Sequence, residues 1–107
     1  MQQTIINIAN EYKEQLNKLY GNELAELILF GSYARGDFNK ESDIDFAVVL
    51  RNSNVRPTKE IEKIAAVSSG ISLKYGIMLS SLPVTLFKKQ TSMQGIYQEI
   101  RKEGIVI

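Results

Sequence analysis

Residues 24–50 read LAELILFGSYARGDFNKESDIDFAVVL, and this stretch decides the fold. It holds two apolar runs, residues 24–30 and 44–50, and the second run is rich in the β-branched and aromatic side chains typical of a buried strand. The connection between the runs is about a dozen residues long, which is short for a crossover between parallel strands. We therefore expect antiparallel neighbours, with the end of the first strand beside the beginning of the second.

Gly31 and Ser32, which follow the first strand, are suited to binding an anion. A glycine at this point lets a ligand approach the backbone, and the amides after it form an anion-binding turn or begin a helix. The end of the first strand therefore predicts a phosphate cradle.

Asp43 and Asp45 open the second strand and are suited to binding a metal ion. Because they lie two residues apart, both side chains project from one face of the sheet, while Ile44 points into the core on the other face. Adjacent carboxylates repel each other and are costly to bury, and a divalent cation between them removes that penalty. With the cradle beside them, the predicted ligand is a nucleoside triphosphate with Mg²⁺, which prefers one or two carboxylates plus phosphate oxygens.

Outside this stretch, apolar periodicity predicts three helices and one more strand. Glu60 is assigned to the polar face of the middle helix, and Pro83 places the far end of the third strand at a sheet edge or terminus. Residues 105–107 are either a short edge strand or a surface that a partner covers. The order of elements indicates a small layered α/β domain. The expected helices span residues 2–20, 57 to about 75 and about 85–103, and the expected strand spans residues 77–84.

The amino-acid composition limits the kinds of site and of catalytic residue that the chain can have. The 107 residues are 44% hydrophobic and 23% charged with a formal net charge of +1, which is typical of one globular domain and gives no sign of a surface for nucleic acid or an anionic membrane. Cysteine and histidine are absent, which excludes disulfides, thiolate zinc sites and catalysis by either residue. The chain has no apolar run of bilayer length and no secretory pattern, so the expected location is the cytoplasm.

Two blocks of the connection, GSYARG and SDID, resemble the GSxARG(x5)SDxD signature of the minimal nucleotidyltransferases, a branch of the DNA polymerase β-like superfamily. The length and element order resemble that family from end to end. The resemblance implies a mixed sheet flanked by helices, in the order α-β-β-α-β-α, as one domain over residues 1–107. It also implies Mg²⁺-dependent transfer of AMP from ATP to a protein, often a tyrosine of a HEPN-domain ribonuclease toxin that the transferase silences as its antitoxin.

The same resemblance assigns the site residues. Asp43 and Asp45 would be the catalytic residues and the metal ligands, in a mechanism where one ion activates the attacking hydroxyl and another neutralises the triphosphate. Arg35 would contact phosphate or brace the loop, and an ion pair with Asp37, Glu41 or Asp43 is the alternative. The residues expected to bind the nucleotide are Gly31, Ser32, Arg35, Gly36 and Ser42.

One position departs from the family pattern. Active members carry a third carboxylate on the next strand, whereas residues 77–84, IMLSSLPV, contain no acid. Ser80 would stand in its place, or Ser81 if the register shifts by one residue, and Asp37 or Glu41 would be the acids left to replace it.

Two hypotheses follow from this departure. The chain is either an enzyme that adenylylates its partner or a catalytically impaired module that neutralises or scaffolds a HEPN partner by contact. In both we expect a hetero-oligomer and no direct binding of nucleic acid. A transferase that modifies RNA or an aminoglycoside is less favoured, because no second domain is present to hold such a substrate.

Overall fold

The sheet has four strands, and helices cover both of its faces. The structure is a computed structural model that describes residues 2–107. The strands are β1 (Leu24–Phe30), β2 (Ile44–Leu50), β3 (Leu79–Thr85) and β4 (Ile105–Val106). The helices are α1 (Gln3–Tyr20), α2 (Ser32–Arg35), α3 (Pro57–Tyr75), α4 (Leu86–Thr91) and α5 (Gly95–Glu103), with a 3-10 turn at Gly21–Glu23. The predicted α/β class, with a mixed sheet flanked by helices, is confirmed.

The strands lie in the order β3-β2-β1-β4. β1 and β2 are antiparallel, as the short connection predicts, and Phe30 pairs with Asp45. β3 runs parallel to β2 at one edge, in keeping with its proline at Pro83. β4 pairs with β1 at the other edge, so the edge-strand interpretation of residues 105–107 is confirmed.

The two faces of the sheet are covered by different helices. α1 and α3 pack on one face, where alternate strand residues such as Leu27, Phe46 and Val48 form the larger core cluster. The opposite face carries a smaller cluster that includes Phe30, Ala47 and Ile100 of α5. Since Asp45 is two residues before Ala47 on β2, the period of two places its side chain on the face that α5 covers.

Polar contacts also join α1 to α3. The hydroxyl of Tyr20 donates a 2.6 Å hydrogen bond to Oε2 of Glu60, and that of Tyr75 donates a 2.6 Å bond to Oε2 of Glu11. Glu60 is only 7% exposed, so its assignment to the polar face of the helix is wrong. Tyr20 provides the hydrogen bond that such a buried carboxylate requires.

The C-terminal third corrects two predicted boundaries. The single helix expected over residues 85–103 is two helices, and the guanidinium of Arg101 donates hydrogen bonds to the carbonyls of Lys89 and Ser92 at the end of α4. The third strand begins at Leu79 rather than residue 77, after Gly76 ends α3 in the left-handed conformation. No helix within residues 2–107 is both long and apolar enough to cross a membrane.

Candidate active site

Gly31 and Asp45 meet at the edge of the sheet where β1 ends and β2 begins. Gly31 has a φ of +74°, a conformation that favours glycine. A Cβ at this position would overlap Oδ2 of Asp45. Both the backbone conformation and the close approach therefore require glycine, and the turn after β1 lies directly against the carboxylate.

Asp43 lies just before β2 and is exposed, whereas Asp45 lies within β2 and is half-buried. Burial raises the pKa of Asp45, and the negative charges of Asp43 and Glu99 raise it further, while the charge of Arg35 lowers it. The two aspartates are thus near enough to repel each other, as expected from their spacing. A bound cation would relieve this repulsion.

The turn after Gly31 starts the short helix α2. The amides of Ala34 and Arg35 each donate to the carbonyl of Gly31 at 3.0 Å, so this carbonyl caps the first turn. As at any helix start, the amides of the first residues, Ser32 and Tyr33, have no acceptor within the helix. Anion binding by these amides and by the half-buried Ser32 side chain stays a prediction.

Gly36 and Ser42 shape the loop between α2 and β2. Gly36 ends α2 with a φ of +89°, and its amide donates to the Ser32 carbonyl at 2.8 Å. The Ser42 hydroxyl accepts a 2.9 Å hydrogen bond from the amide of Asn39, and the Ser42 amide donates back to the Asn39 carbonyl at 3.1 Å. Both residues brace the loop, and their contact with a nucleotide stays a prediction.

Arg35 is held by carboxylates on two elements. Its Nε lies 3.1 Å from Oδ2 of Asp37, and its Nη1 lies 3.1 Å from both Oε1 of Glu99 and Oε2 of Glu103. Hydrogen bonds to Asp37 and Glu103 raise the pKa of Arg35 further above its usual range. Of the ion pairs considered from the sequence, the one with Asp37 forms, and within residues 2–107 none joins Arg35 to Glu41 or Asp43. Phosphate contact by Arg35 stays a prediction.

Sequence reasoning missed the pairing of α5 with Arg35. Glu99 and Glu103 lie 64 and 68 residues from Arg35, beyond the reach of any local pattern. The only available signal is their spacing of four residues, which places both carboxylates on one face of a helix.

Ser80 stands beside Asp45 in the sheet. The two residues are register partners on β2 and β3, so their side chains share a face, and Ser80 is exposed. Ser81 pairs with Phe46 on the opposite face, and its hydroxyl shares a 2.6 Å hydrogen bond with the buried hydroxyl of Tyr12. Burial raises the pKa of Tyr12 to about 12, which keeps that hydroxyl protonated. The register thus gives Ser80, not Ser81, the place next to Asp45.

No third acid is in direct reach of the aspartate pair. Within the part of the chain that the structure describes, no group of three acidic, histidine or cysteine side chains converges on a point that would hold a metal ion. Asp37 is engaged by Arg35, and Glu41 is exposed on the loop. Neither residue completes the pair.

A cavity of about 320 Å³ next to α2 lies away from the aspartates. Residues of α1, α2 and β4 contribute to its walls together with Phe38, whose ring stacks on Tyr33 at 4.3 Å. Gly31, Asp43 and Asp45 are not among the residues that line it. The candidate site is therefore the open edge at Gly31 and Asp45 rather than this cavity.

The sequence model of the nucleotidyltransferase domain matches residues 9–107. The chain belongs to the nucleotidyltransferase-domain family. A protein of Methanocaldococcus jannaschii, assigned by inference as a protein adenylyltransferase, is 36% identical over 104 residues, which are 96% of this chain and 98% of the relative.

Solved structures show the same fold for this nucleotidyltransferase domain. The crystal structure of an inferred nucleotidyltransferase from Sulfolobus solfataricus has a TM-score of 0.69 and 20% identity, over 94% of this chain and 76% of that one. A toxin–antitoxin solved with AMP-PNP has a TM-score of 0.56 and 18% identity, over 89% of this chain and 68% of that one.

The donor set of the nucleotidyltransferase domain fits a hard divalent cation. Asp43 and Asp45 offer carboxylate oxygens, and the absence of a side chain at Gly31 lets the Asp45 carboxylate pack closely against the turn. Proteins in general bind Mg²⁺ through one or two carboxylates, with phosphate oxygens and water completing its coordination shell.

Proposed function

We propose that this chain is a Mg²⁺-dependent protein adenylyltransferase, which moves AMP from ATP to a hydroxyl group of a protein. The observation that carries the proposal is the contact of the Gly31 turn with the Asp45 carboxylate, since it would join a phosphate-binding turn to a cation-binding pair. The assignment of the 36% identical relative as a protein adenylyltransferase supports a protein acceptor.

The reaction breaks one phosphoanhydride bond and forms one phosphoester bond. The acceptor oxygen attacks the α-phosphorus of ATP, pyrophosphate leaves, and the hydroxyl proton passes to solvent. Asp43 and Asp45 would hold Mg²⁺, which lowers the pKa of the attacking hydroxyl and neutralises the leaving pyrophosphate. The Ser32 hydroxyl and the first amides of α2 would orient the phosphate oxygens, and Gly31 would let them approach the backbone.

Electrostatics make the cation necessary for nucleotide binding. Asp37, Glu99 and Glu103 surround Arg35, and Asp43 and Asp45 lie beside them, so carboxylates outnumber cationic groups at this edge. Such a site repels a free triphosphate. A Mg²⁺ ion between the aspartates and the phosphates would offset negative charge on both. ATP should therefore bind only with a divalent metal.

The proposed partner is a toxin of the HEPN class, which this chain would silence in the cytoplasm by adding AMP to a tyrosine. Support comes from the minimal nucleotidyltransferase signature in residues 31–45 and from the shared fold with one chain of a toxin–antitoxin solved with AMP-PNP, an ATP analogue. The chain would then act as an antitoxin within a hetero-oligomer.

A second function is favoured by one observation, the hydroxyl of Ser80 beside Asp45. Mg²⁺ binds a serine hydroxyl far more weakly than a carboxylate. In this alternative the chain binds ATP and its partner but transfers AMP slowly or not at all, and it neutralises the partner by contact.

The experiment that tests the proposal is a transfer assay with ATP, Mg²⁺ and the product of the adjacent gene, read by intact mass. We expect the partner to gain the mass of one AMP, and Asp43→Asn to abolish the gain. A stable complex that binds ATP without any gain in mass would instead establish the contact mechanism.

A further inference from the structure

We propose that Glu99 and Glu103 of α5 are positioning residues for the turn that begins at Gly31, and that they act on it through Arg35. The inference rests on the proposed function, because this turn is the one assigned to the phosphates of ATP. It adds the C-terminal helix to a site that the signature motif confines to residues 31–45.

The turn does not hold its shape by itself. α2 has only four residues, and so short a helix is unstable alone because its first turn fixes several dihedral angles for one hydrogen bond. The amides of residues 34–37 donate to only two carbonyls, those of Gly31 and Ser32. Contacts with other elements must therefore fix the direction of the Ser32 and Tyr33 amides that would bind the phosphates.

Side chains of α2 contact elements on both faces of the sheet. On the face covered by α1 and α3, Tyr33 and Ala34 pack against the larger core cluster. On the opposite face, Arg35 reaches α5, which contributes Ile100, the residue after Glu99, to the smaller cluster. Apolar packing thus fixes one side of α2, and the contacts of Arg35 with α5 fix the other.

The contacts of Arg35 form a network rather than a single surface ion pair. Its Nη1 lies 3.1 Å from a carboxylate oxygen of Glu99 and 3.1 Å from one of Glu103, and its Nε lies 3.1 Å from Asp37. The two glutamate side chains are only 35% and 29% exposed. An isolated exposed ion pair contributes little, but several charge-assisted hydrogen bonds to one guanidinium fix its position.

The charge of the two glutamates distinguishes a positioning role from an electrostatic one. Replacing both by neutral residues removes two negative charges from an edge where carboxylates are already in excess. If Glu99 and Glu103 act by charge alone, their loss should strengthen binding of an anionic nucleotide. If they position the turn, their loss should weaken binding, because fewer molecules then hold the turn in its binding conformation.

The test compares the wild type with the double variant Glu99→Ala with Glu103→Ala, in which alanine keeps the helix propensity of α5. Calorimetry measures the binding of α,β-methylene ATP, which cannot transfer AMP, in the presence of Mg²⁺. We expect the Kd to rise about tenfold, as it does when about one molecule in ten holds the binding conformation. In the protein without metal or nucleotide, hydrogen exchange at the amides of residues 34–37 should become faster.

Glu11→Ala is the matched control. Glu11 is also a helix glutamate, its side chain is 28% exposed, and it pairs with Lys74 at 2.9 Å between α1 and α3. This variant should change neither nucleotide affinity nor exchange at residues 34–37, and circular dichroism should show it and the double variant folded. In an Arg35→Met background, loss of the two α5 glutamates should no longer weaken binding, because residues that act through one shared partner are not additive.

Each other outcome is decisive. Unchanged or stronger nucleotide binding in the double glutamate variant, or exchange no faster than in the wild type, would overturn the inference and leave the proposed function standing. A further loss of affinity in the Arg35→Met background would also overturn it, because the glutamates would then act without Arg35. A wild type that binds no nucleotide with Mg²⁺ would overturn the proposed function, and the exchange rates would still decide whether the glutamates hold the turn.

Discussion

Asp45 and Ser80 are register partners on two parallel strands, so a hydroxyl stands beside the half-buried carboxylate of the site. Ser80 is exposed and has room for a longer side chain. We predict that Ser80→Asp strengthens Mn²⁺ binding about tenfold, the scale on which one added carboxylate partner acts. AMP transfer to the partner should rise in the same variant.

Ser81→Asp is the control for that substitution. Ser81 lies on the opposite face, where its hydroxyl bonds the fully buried Tyr12. A carboxylate there would be desolvated without a cationic partner, at a cost of about 2 kcal/mol or more. We expect a lower melting temperature and no gain in Mn²⁺ affinity, and a gain equal to that of Ser80→Asp would contradict the observed register.

Gly31→Ala and Gly36→Ala separate backbone strain from the site itself. Both glycines have positive φ, but their backbone strain differs. An alanine at Gly36 costs about 1–2 kcal/mol in the left-handed region, whereas one at Gly31, with ψ −155°, lies in a region that is essentially restricted to glycine and costs about 1–3 kcal/mol. A Cβ at Gly36 has no neighbour within 4 Å, whereas one at Gly31 overlaps Oδ2 of Asp45. We predict that calorimetry finds ATP binding lost in Gly31→Ala and largely kept in Gly36→Ala. Similar losses in the two variants would show that loop strain, not the Asp45 contact, controls binding.

The raised pKa of Asp45 predicts how the stability of the metal-free protein depends on pH. A raised carboxyl pKa means that the folded chain holds the proton more tightly than the unfolded chain. The stabilisation is therefore complete below the ordinary pKa of 3.8 and is lost as the pH rises through the folded pKa. At pH 7 without metal, Asp45→Asn should raise the melting temperature, because it removes a half-buried charge that Asp43 and Glu99 repel. A destabilised Asp45→Asn protein would contradict this account.

Tyr20→Phe tests the polar link between α1 and α3. The substitution removes the 2.6 Å hydrogen bond to the buried Glu60. That carboxylate keeps its ion pair with Lys63, whose Nζ lies 3.5 Å from Oε1. We expect a loss of about 1–3 kcal/mol in the free energy of unfolding, measured with urea. Tyr75→Phe should cost less, since Glu11 is more exposed and keeps Lys74 at 2.9 Å. Neither variant should change ATP binding.

Local patterns predicted the part of the fold that local forces determine. The apolar runs that became β1 and β2 have the predicted bounds, because both strands are buried and bounded by turn residues. Their antiparallel pairing followed from the length of the connection. The bounds of the two runs and the length of their connection also predicted that Gly31 lies beside Asp45.

Tertiary contacts decided what the sequence did not predict. Phe87 and Met93 continue a helical spacing across the gap between α4 and α5, yet they are 64% and 76% exposed. At the break, Arg101 reaches back and donates hydrogen bonds to carbonyls at the end of α4. Likewise, the pairing of Arg35 with Glu99 joins residues far apart in the chain, and no spacing rule indicates it.

The most direct test of the metal site is a calorimetric titration of ATP with Mg²⁺ into the wild type and into the double variant Asp43→Asn with Asp45→Asn. We predict that the wild type binds ATP only when Mg²⁺ is present. The double variant should keep the fold and lose this binding. Unchanged ATP affinity in the double variant would contradict the assignment of Asp43 and Asp45 as the metal ligands.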